Sequence, residues 1–343
     1  MKKPIIYQYL HFDYYSATPK YLQLANSVIK AISEGKIMKD DPLPSINELS
    51  FEYEISRDTA EKGYKHLKKL GIIGSVAGKG YFIKCTEIEH QIKIFLLFNK
   101  LSAHKKIIYD AFVKALGENA LVDFYIYNND FALFKRMVHN RKDDYTHFVV
   151  IPHYTNGEDN TIDVLKELQP GKLIILDKMV PDFYGEYGAV YEQFDKDLTE
   201  ALEEALPLLG KYHTLNIIFP EDTYHPREII RGFTFFCRQY TFHYNIIHDI
   251  SQVDIEPGNV YINLMEPDLV ILIEKIIERH LEVGKDVGVI SYNETPLKKI
   301  ILNGITTIST DFEKMGQTAA RLVMEYSQQK VKNPFKLTLR SSL

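Results

Sequence analysis

Polar and ionisable side chains follow the apolar strand candidates in the second part of the chain. The segments are FNKLSAH (98–104), PHYTNG (152–157), LDKMVPD (176–182), PEDTYHPREIIRG (220–232) and SYNET (291–295). Their carboxylate, amide, Arg and His groups can hydrogen-bond to sugar hydroxyls, and their Tyr rings can pack on the apolar faces of a sugar. One such segment alone is usually an exposed polar loop. Their shared position at strand ends favours a ligand site, and its first candidates are Lys100, His104, His153 and Tyr154.

A second chemical pattern lies on the outer face of a helix predicted in SRDTAEKGYKHLKKLGII (56–73). That face carries Ser56, Arg57, Asp58, Glu61, Lys62, Lys65 and Lys69. Arg57, at the exposed start of the helix, can reach a guanine edge or a phosphate. Further on, Gly78-Lys79-Gly80 permits close approach of the backbone to a polyanion while the lysine supplies charge. Taken singly, such lysines more often form only a solvated helix face, and such glycines only a tight turn.

Three helices and a hairpin are predicted to position this face. Apolar residues recur at intervals of three and four in TPKYLQLANSVIKAISEGKI (18–37), which predicts an amphipathic helix. Ser45, followed three residues later by Glu48, predicts the capping box of a second helix. Ser56 caps the third helix and Gly71 ends it, so the short gap between helices is typical of a helix-turn-helix. The segment GIIGSVAGKGYFIKC (71–85) predicts a glycine-tipped hairpin.

From Ile92 the pattern changes to apolar strands that alternate with amphipathic helices. The strand candidates are 92–98, 122–127, 146–151, 172–177, 189–191, 214–219, 259–264, 286–291 and 305–309. Repeated strand and helix units predict an α/β body with doubly wound parallel sheets, which commonly forms two lobes around a cleft. The predicted organisation is a DNA-binding domain at 1–84, a linker at 85–91 and a sensor domain at 92–343.

Composition and charge narrow the class of protein. The 343 residues are 45% hydrophobic and 25% charged, as expected of a folded chain long enough for two domains. The net charge is −5, but residues 1–84 hold 13 Lys and Arg against 9 Asp and Glu, so they carry +4 and the remainder carries −9. The basic first domain favours contact with a polyanion.

The sequence lacks the usual motifs of enzymes, metal sites and exported proteins. Cys85 and Cys237 stand far apart without metal-ligand spacing, and no apolar stretch has the length of a signal peptide or membrane span. Nucleotide-binding and hydrolase motifs are also absent from the sequence. We therefore expect no catalytic residue, no metal, no cofactor and no membrane association, and a cytoplasmic location.

The order of the first segments resembles the winged helix-turn-helix domain of the GntR family of bacterial transcription regulators. The resemblance covers about 18–84 and rests on LPSINEL (43–49), SRDT (56–59) and GKGYFI (78–83). It implies operator DNA as the partner. The candidate DNA-binding residues are Ser45, Asn47, Ser56, Arg57, Thr59, Lys62, Lys65, Lys79 and Gly80. Asn47 replaces an Arg common in the family and Glu61 a common basic residue, which leaves the operator sequence open.

The end of the chain is similar to the sensor domain shared by LacI/GalR regulators and periplasmic sugar-binding proteins. The similarity rests on DVGVISYNETPLKKIILNGITTISTDFEKMGQTAARLVMEY (286–326) and PFKLTLRSS (334–342). It implies a two-lobed periplasmic-binding-protein-like fold and adds the ligand candidates Asp177, Lys178, Arg227, Asp268, Asn293 and Glu294. Asp177 and Lys178 match the family's Asp-Arg pair. Arg227 substitutes for the family's ligand arginine, whose position holds Ile229.

Together the two domains resemble the sugar-responsive, AraR-like subset of GntR regulators, and within it Bacteroides-type regulators of L-fucose utilisation. The resemblance implies a repressor of a carbohydrate-utilisation operon that binds a monosaccharide between its lobes and forms a homodimer. Two alternatives stay open: a sugar-binding module whose first domain serves dimerisation only, and a divergent enzyme that uses the cleft. The sequence does not determine the effector, the direction of its action on DNA binding, or the dimer interface.

Overall fold

The computed structural model describes residues 5–76, 78, 80–87, 92–117, 120–155, 160–221, 223 and 225–343. These residues form two compact units. The first comprises the described residues of Met1–Phe98, Leu116–Ile126 and Arg141–Val149, and the second those of Asn99–Ala115, Tyr127–Asn140 and Val150–Leu343. In the described part of the chain, no helix is both long and apolar enough to cross a membrane.

The first unit begins with a small helical domain of the predicted kind. After a 3₁₀ helix at Ile5–Gln8, its elements are α1 (Lys20–Ser33), β1 (Pro42–Leu43), α2 (Ile46–Glu52), α3 (Arg57–Lys69), β2 (Ile73–Val76) and β3 (Gly80–Ile83). Strand β3 pairs antiparallel with β2, as the predicted hairpin requires, and also with β1. The pairing with β1 is not visible in the sequence because two residues are too few to show a strand pattern.

Hydrogen bonds within the first turn fix the starts of α2 and α3. Ser45 Oγ accepts from the Glu48 N–H at 3.2 Å, and Glu48 Oε2 accepts from the Ser45 N–H at 2.7 Å. Ser56 Oγ accepts from the Thr59 N–H at 3.1 Å. These bonds satisfy amide groups that have no partner inside the helix. The predicted capping box and the predicted N-cap of α3 are confirmed.

Helices α1 and α3 approach closely because α3 carries a glycine where they meet. A Cβ atom on Gly63 would lie 2.7 Å from Leu24 Cδ2 and 3.1 Å from the backbone oxygen of Tyr21. Leu24 is fully buried there, together with Leu49 of α2, in the core of this domain. The close contact holds α3 at a fixed position on the outside of the domain.

Residues 92–343 alternate strands and helices as predicted. The strands are β4 (Ile92–Phe98), β5 (Ala120–Ile126), β6 (His147–Val150), β7 (Leu173–Asp177), β8 (Gly188–Tyr191), β9 (Thr214–Ile218), β10 (His243–Ile247), β11 (Asn259–Asn263), β12 (Gly288–Tyr292), β13 (Thr306–Thr310), β14 (Lys330–Lys332) and β15 (Phe335–Thr338). The α-helices are α4 (Ala103–Leu116), α5 (Phe131–Arg141), α6 (Thr161–Leu165), α7 (Phe194–Leu209), α8 (Glu228–Gln239), α9 (Glu266–Glu278) and α10 (Phe312–Met324). Short 3₁₀ helices lie at Ile250–Gln252, Pro296–Lys299 and Ile301–Asn303.

These strands form two sheets of six strands each. The first sheet has the order β14-β8-β7-β6-β4-β5, and the second has the order β10-β9-β11-β12-β13-β15. In the second sheet β9 pairs parallel with β10 and β11, and β12 pairs parallel with β11 and β13, whereas β15 is antiparallel to β13. Helices pack on both faces of this sheet. Ile217 and Ile262 point into a core that includes residues of α7 and α8, while Ile218 and Tyr261 point into one that includes residues of α9.

All nine predicted strands are confirmed, with ends within two residues of those predicted. Three strands of this region, β10, β14 and β15, were not predicted. Strand β10 lies at one edge of the second sheet, where it pairs with β9, and buries only Ile247 of its five residues. It therefore lacks the continuous apolar run by which buried strands are recognised. The α/β fold class is confirmed.

Candidate functional site

The start of α3 presents the predicted DNA-contact residues to solvent. Ser56 precedes the helix, Arg57 is its first residue, and both are exposed. The Ser56 and Thr59 hydroxyl oxygens lie 2.8 Å apart, so the cap orders both. Arg57 forms no ion pair with any described residue, which leaves its five N–H donors available. Asn47 lies exposed in the first turn of α2.

Two of the predicted lysines on α3 are paired with carboxylates of the same helix. Lys62 Nζ lies 2.7 Å from Asp58 Oδ2, and Lys65 Nζ lies 2.7 Å from Glu61 Oε1. The hydrogen bonds to these carboxylates raise the pKa of both lysines. Both pairs are largely exposed and hence weak. To bind a phosphate, each ammonium group must leave its carboxylate.

The hairpin is attached to the end of α3. Lys68 Nζ donates to Ser75 Oγ at 2.6 Å and lies 5.3 Å from the centroid of the Tyr81 ring. At the tip, Gly78 and Gly80 have φ of 80° and 87°, values that residues with a Cβ rarely adopt. Lys79, the predicted wing contact, lies outside the described residues.

A cavity of about 600 Å³ lies in the second unit, beyond the carboxyl ends of β6, β7 and β9. Its volume is in the range of small-molecule sites. It brings together four of the ten predicted ligand residues: His153, Tyr154, Lys178 and Arg227. Thr161 and His225 also line it. The Thr161 hydroxyl is buried and has no hydrogen-bond partner among the described residues, so it can bind a ligand oxygen.

A buried ion pair adjoins this cavity. Asp177 is the last residue of β7, and its Oδ2 accepts a hydrogen bond from the Lys105 ammonium. Its Oδ1 lies 3.3 Å from His153 Nε2. All three side chains are buried. Burial alone would raise the pKa of Asp177, but the charges and hydrogen bonds of Lys105 and His153 hold it well below its usual range. Asp177 is therefore ionised at neutral pH and fixes the ring of His153, which lines the cavity.

Three further ionisable groups near Asp177 are shifted towards their neutral forms. Burial, with the charges of Lys105 and His153 respectively, lowers the pKa of His104 and His225 to about 3. Burial and the charge of Asp177 raise the pKa of Glu192 well above its usual value. Neutral imidazole can accept a hydrogen bond, and a protonated carboxyl can donate one. The region around Asp177 thus offers both donors and acceptors to a neutral polar ligand.

The other predicted ligand residues lie in different surroundings. Burial and the charge of Lys105 lower the pKa of Lys100 to about 8, and the His104 ring stacks on Phe312 at 4.9 Å between centroids. Asp268 is in the first turn of α9, where burial and the charge of Asp249 raise its pKa.

Asn293 and Glu294 follow β12, where buried Lys298 supports the turn. Asn293 has φ of 65°, and its carbonyl accepts from Lys298 Nζ at 2.7 Å. Glu294 Oε2 accepts from Arg340 Nη2 at 2.8 Å and from the Thr307 hydroxyl. These two hydrogen bonds fix the position of the Glu294 carboxylate.

Four groups near the site were not predicted from the sequence: Lys105, Glu192, Thr161 and the hydroxyl of Tyr292. The Tyr292 hydroxyl is buried and has no hydrogen-bond partner in the described part of the chain. A signal for Lys105 exists. It lies three and seven residues before the fully buried Ile108 and Phe112, hence on the inward face of α4. A lysine on an apolar helix face needs a buried counter-charge. Only the fold identifies that counter-charge as Asp177.

Comparisons with known proteins agree with this architecture. Residues 20–83 match the family described as bacterial regulatory proteins, gntR family, and residues 264–342 match the periplasmic binding protein-like domain. The uncharacterized HTH-type transcriptional regulator YhcF of Bacillus subtilis (strain 168) is 28% identical over 110 residues, 32% of this chain and 84% of YhcF.

A second relative and a solved structure extend the comparison. The arabinose metabolism transcriptional repressor of Geobacillus stearothermophilus is 28% identical over 74 residues, which are 22% of this chain and only 20% of that repressor. The structure of the lac repressor bound to ONPG in its repressed state is similar in fold, with a TM-score of 0.64 at 17% identity over 84% of this chain and 92% of that chain. The chain therefore combines a helix-turn-helix domain that matches the bacterial GntR family with a periplasmic-binding-protein-like domain whose fold is similar to that of the lac repressor.

Proposed function

We propose that the chain is a transcription repressor whose affinity for operator DNA is controlled by a monosaccharide bound at the cavity. The observation that carries this proposal is the presence, on one chain, of an exposed GntR-type helix start and a strand-end cavity next to a buried ion pair. The chain divides for this function into a DNA-binding domain at 1–84, a linker at 85–91 and a sensor domain at 92–343. DNA binding places it in the cytoplasm.

In this proposal the start of α3 enters the major groove of the operator. Arg57 reads a base edge or binds a phosphate, while the Ser45, Ser56 and Thr59 hydroxyls and the Asn47 amide contact the backbone. Lys62 and Lys65 add phosphate contacts once they leave Asp58 and Glu61. Lys79 and Gly80 place the hairpin tip against the neighbouring backbone.

The sugar is held by hydrogen bonds at the cavity. His153 Nε2 is bonded to Asp177, so its Nδ1 is the ring nitrogen left to hydrogen-bond with a sugar hydroxyl. Lys178 and Arg227 donate to sugar oxygens, and the Tyr154 ring packs on a C–H face. Lys100, His104, Asp268, Asn293 and Glu294 complete the proposed set. Those five contribute mainly by placing charge and by supporting the turns around the site.

L-fucose is the first sugar to test, because the whole chain resembles regulators of its utilisation. The name of the Geobacillus relative states a role in arabinose metabolism, which makes L-arabinose the second. A homodimer would let two helices α3 read a two-fold symmetric operator and supply affinity that one small domain lacks. Sedimentation at micromolar concentration tests the dimer.

The proposed function is tested by two binding measurements on the full-length protein. Thermal shift followed by calorimetry screens a monosaccharide panel that includes L-fucose and L-arabinose. Fluorescence anisotropy measures binding to the promoter fragment next to its own gene, with and without the sugar. Binding to both, with lower operator affinity in the presence of sugar, supports the proposal. Failure to bind any promoter DNA refutes the regulator, and turnover of the bound sugar would identify an enzyme.

A further inference from the structure

Residues 5–18, which precede α1, are called the arm below. The first half of the arm packs into the DNA-binding domain. Ile6 and Leu10 are 1% and 4% exposed and lie in the core of that domain. The Tyr53 hydroxyl donates to the Tyr7 carbonyl at 3.0 Å. This half of the arm therefore moves together with the helices of the domain.

The second half of the arm pairs with β5, which is the last strand at one edge of the first sheet. The Ala17 N–H donates to the Phe124 carbonyl at 2.7 Å, and the Phe124 N–H donates to Thr18 Oγ1 at 2.8 Å. Ser16 and Tyr125 form an antiparallel bridge. The arm thus binds an edge strand through the backbone groups that such a strand leaves unpaired.

An ion pair reinforces this backbone contact. Arg141 Nη2 donates to Asp13 Oδ2 at 2.7 Å, and the Tyr125 hydroxyl donates to the same oxygen at 3.0 Å. The guanidinium group of Arg141 also lies 4.7 Å from the Tyr125 ring centroid. Burial would raise the pKa of Asp13, but hydrogen bonds from the Tyr15 N–H and from Arg141 keep it below its usual value. Asp13 is therefore ionised and available to the pair.

A second contact joins α1 directly to β5. Asn26 Nδ2 donates to Asp123 Oδ1 at 3.2 Å, while the Tyr145 hydroxyl donates to Asp123 Oδ2 at 2.9 Å. Leu121 packs against the core of the DNA-binding domain. Residues of both contacts line a cavity of about 350 Å³. A polar interface around a cavity can rearrange more readily than a close-packed core.

We propose that the arm is a clamp that couples the DNA-binding domain to the sensor domain, with Asp13 and Arg141 as its lock. The inference rests on the proposed function and adds the element through which a change in the sensor reaches α3. Because the arm is fixed to both β5 and the helical core, a shift of the edge strand carries the DNA-binding domain with it. A domain attached only through residues 85–91 would not follow such a shift.

The test compares full-length Arg141→Gln and Asp13→Asn with the wild type and with Arg136→Gln as a matched control. Arg136 lies on the same helix α5 and is exposed, and it forms no ion pair with any described residue. Anisotropy with the promoter fragment, with and without L-fucose or the panel sugar that binds best, gives the fold-change in operator affinity. We expect the lock variants to keep sugar affinity and sugar-free operator affinity within about threefold. Their sugar-induced fold-change should drop to less than about a third of the wild-type value.

Hydrogen exchange at the Ala17 and Phe124 amides supplies a readout that needs neither sugar nor DNA. These amides should be protected in the wild type and in Arg136→Gln, and exchange at least about tenfold faster in the lock variants. If the wild type binds neither DNA nor sugar, the proposed function is refuted. The hydrogen-exchange rates of the Ala17 and Phe124 amides then test the clamp on their own. Wild-type coupling and wild-type protection in both lock variants would overturn the clamp.

Discussion

At the scale of single residues, Asp177 organises the floor of the proposed effector site. Its φ of 73° lies in the left-handed region, which costs on the order of 1 kcal/mol for a residue other than glycine. The buried bonds to Lys105 and His153 hold it there. Because both of its oxygens are engaged, we expect Asp177 to act on a ligand chiefly by orienting His153 and by setting the charge of the site.

The first prediction concerns this pair. Asp177→Asn leaves the Lys105 ammonium buried without its counter-charge, so we expect the free energy of unfolding to fall by about 3–5 kcal/mol. The double variant Lys105→Met/Asp177→Asn removes both charges, keeps at position 177 a residue that tolerates the left-handed backbone, and should be more stable than Asp177→Asn. Urea unfolding at pH 7 measures all three proteins. Equal stability of Asp177→Asn and the wild type would contradict a buried ion pair.

The pH dependence of this stability has a definite sign. The folded pKa of Asp177 is depressed, so its contribution is fully present above the unfolded value of about 3.9 and is lost as the pH falls below it. The wild type should therefore lose stability in acid, and the double variant should lose less.

The second prediction concerns the neutral imidazoles. His104 and His225 have a pKa of about 3 in the folded protein, against about 6.5 when unfolded. Between these values the unfolded chain binds protons that the folded chain does not. Stability should therefore fall as the pH drops below about 6.5, by up to about 1.4 kcal/mol per pH unit for each histidine. Urea unfolding from pH 4.5 to 7 should show a shallower profile for His225→Gln, and an unchanged one for His243→Gln, which alters an exposed side chain.

At the scale of elements, the caps and the tight helix contact decide how α3 is presented. Ser56 fixes its first turn, and Gly63 allows α1 to support it from behind. The outer face of α3 carries the exposed Arg57, together with Lys62 and Lys65, which form ion pairs with carboxylates of the same helix. We therefore expect base contacts to be concentrated at the start of α3, where a side chain reaches furthest into a groove.

The third prediction follows from this position. Arg57→Gln should reduce operator affinity by about 1–3 kcal/mol if the guanidinium binds a base edge. Its unfolding free energy should stay unchanged because the side chain is exposed. Anisotropy and urea unfolding measure the two quantities, and Arg136→Gln provides the matched loss of charge. Full operator affinity in Arg57→Gln would remove this residue from the interface.

At the scale of the whole molecule, the proposed switch links two binding sites on one chain. A sugar that prefers one conformation about 100-fold changes the equilibrium by about 2.7 kcal/mol, which is within the usual range of allosteric coupling. In the proposed clamp, the arm contacts are the physical route of this coupling, through β5 to the DNA-binding domain.

The fourth prediction is reciprocity. If the sugar weakens operator binding by a given factor, operator DNA must weaken sugar binding by the same factor. Calorimetry of the sugar with the protein alone and with the protein saturated by its promoter fragment tests this equality. Equal sugar affinity in both titrations, in a protein that binds both partners, would exclude allosteric control and leave two independent sites.

The sequence by itself determined the features that depend on neighbouring residues. The caps at Ser45 and Ser56 form bonds to residues three positions later, so a short pattern predicts them. Most strands were equally visible because burial on both faces requires an apolar run. The strand-end segments also indicated His153 and Tyr154, because the ends of parallel strands converge wherever such a sheet forms, whereas Lys178 and Arg227 were indicated by the resemblance to the LacI/GalR sensor domain.

Only the tertiary structure decided which distant residues meet. Lys105 and Asp177 are 72 positions apart, and no periodicity in either segment indicates the other as its partner. Ser16 lies 108 positions from Phe124, in an arm that pairs too briefly to show a strand pattern. Edge strand β10 was not predicted because most of its positions are exposed and need not be apolar, so its sequence shows no apolar run. Local bonds and burial leave their mark along the sequence, whereas long-range pairing depends on how the sheets and helices assemble.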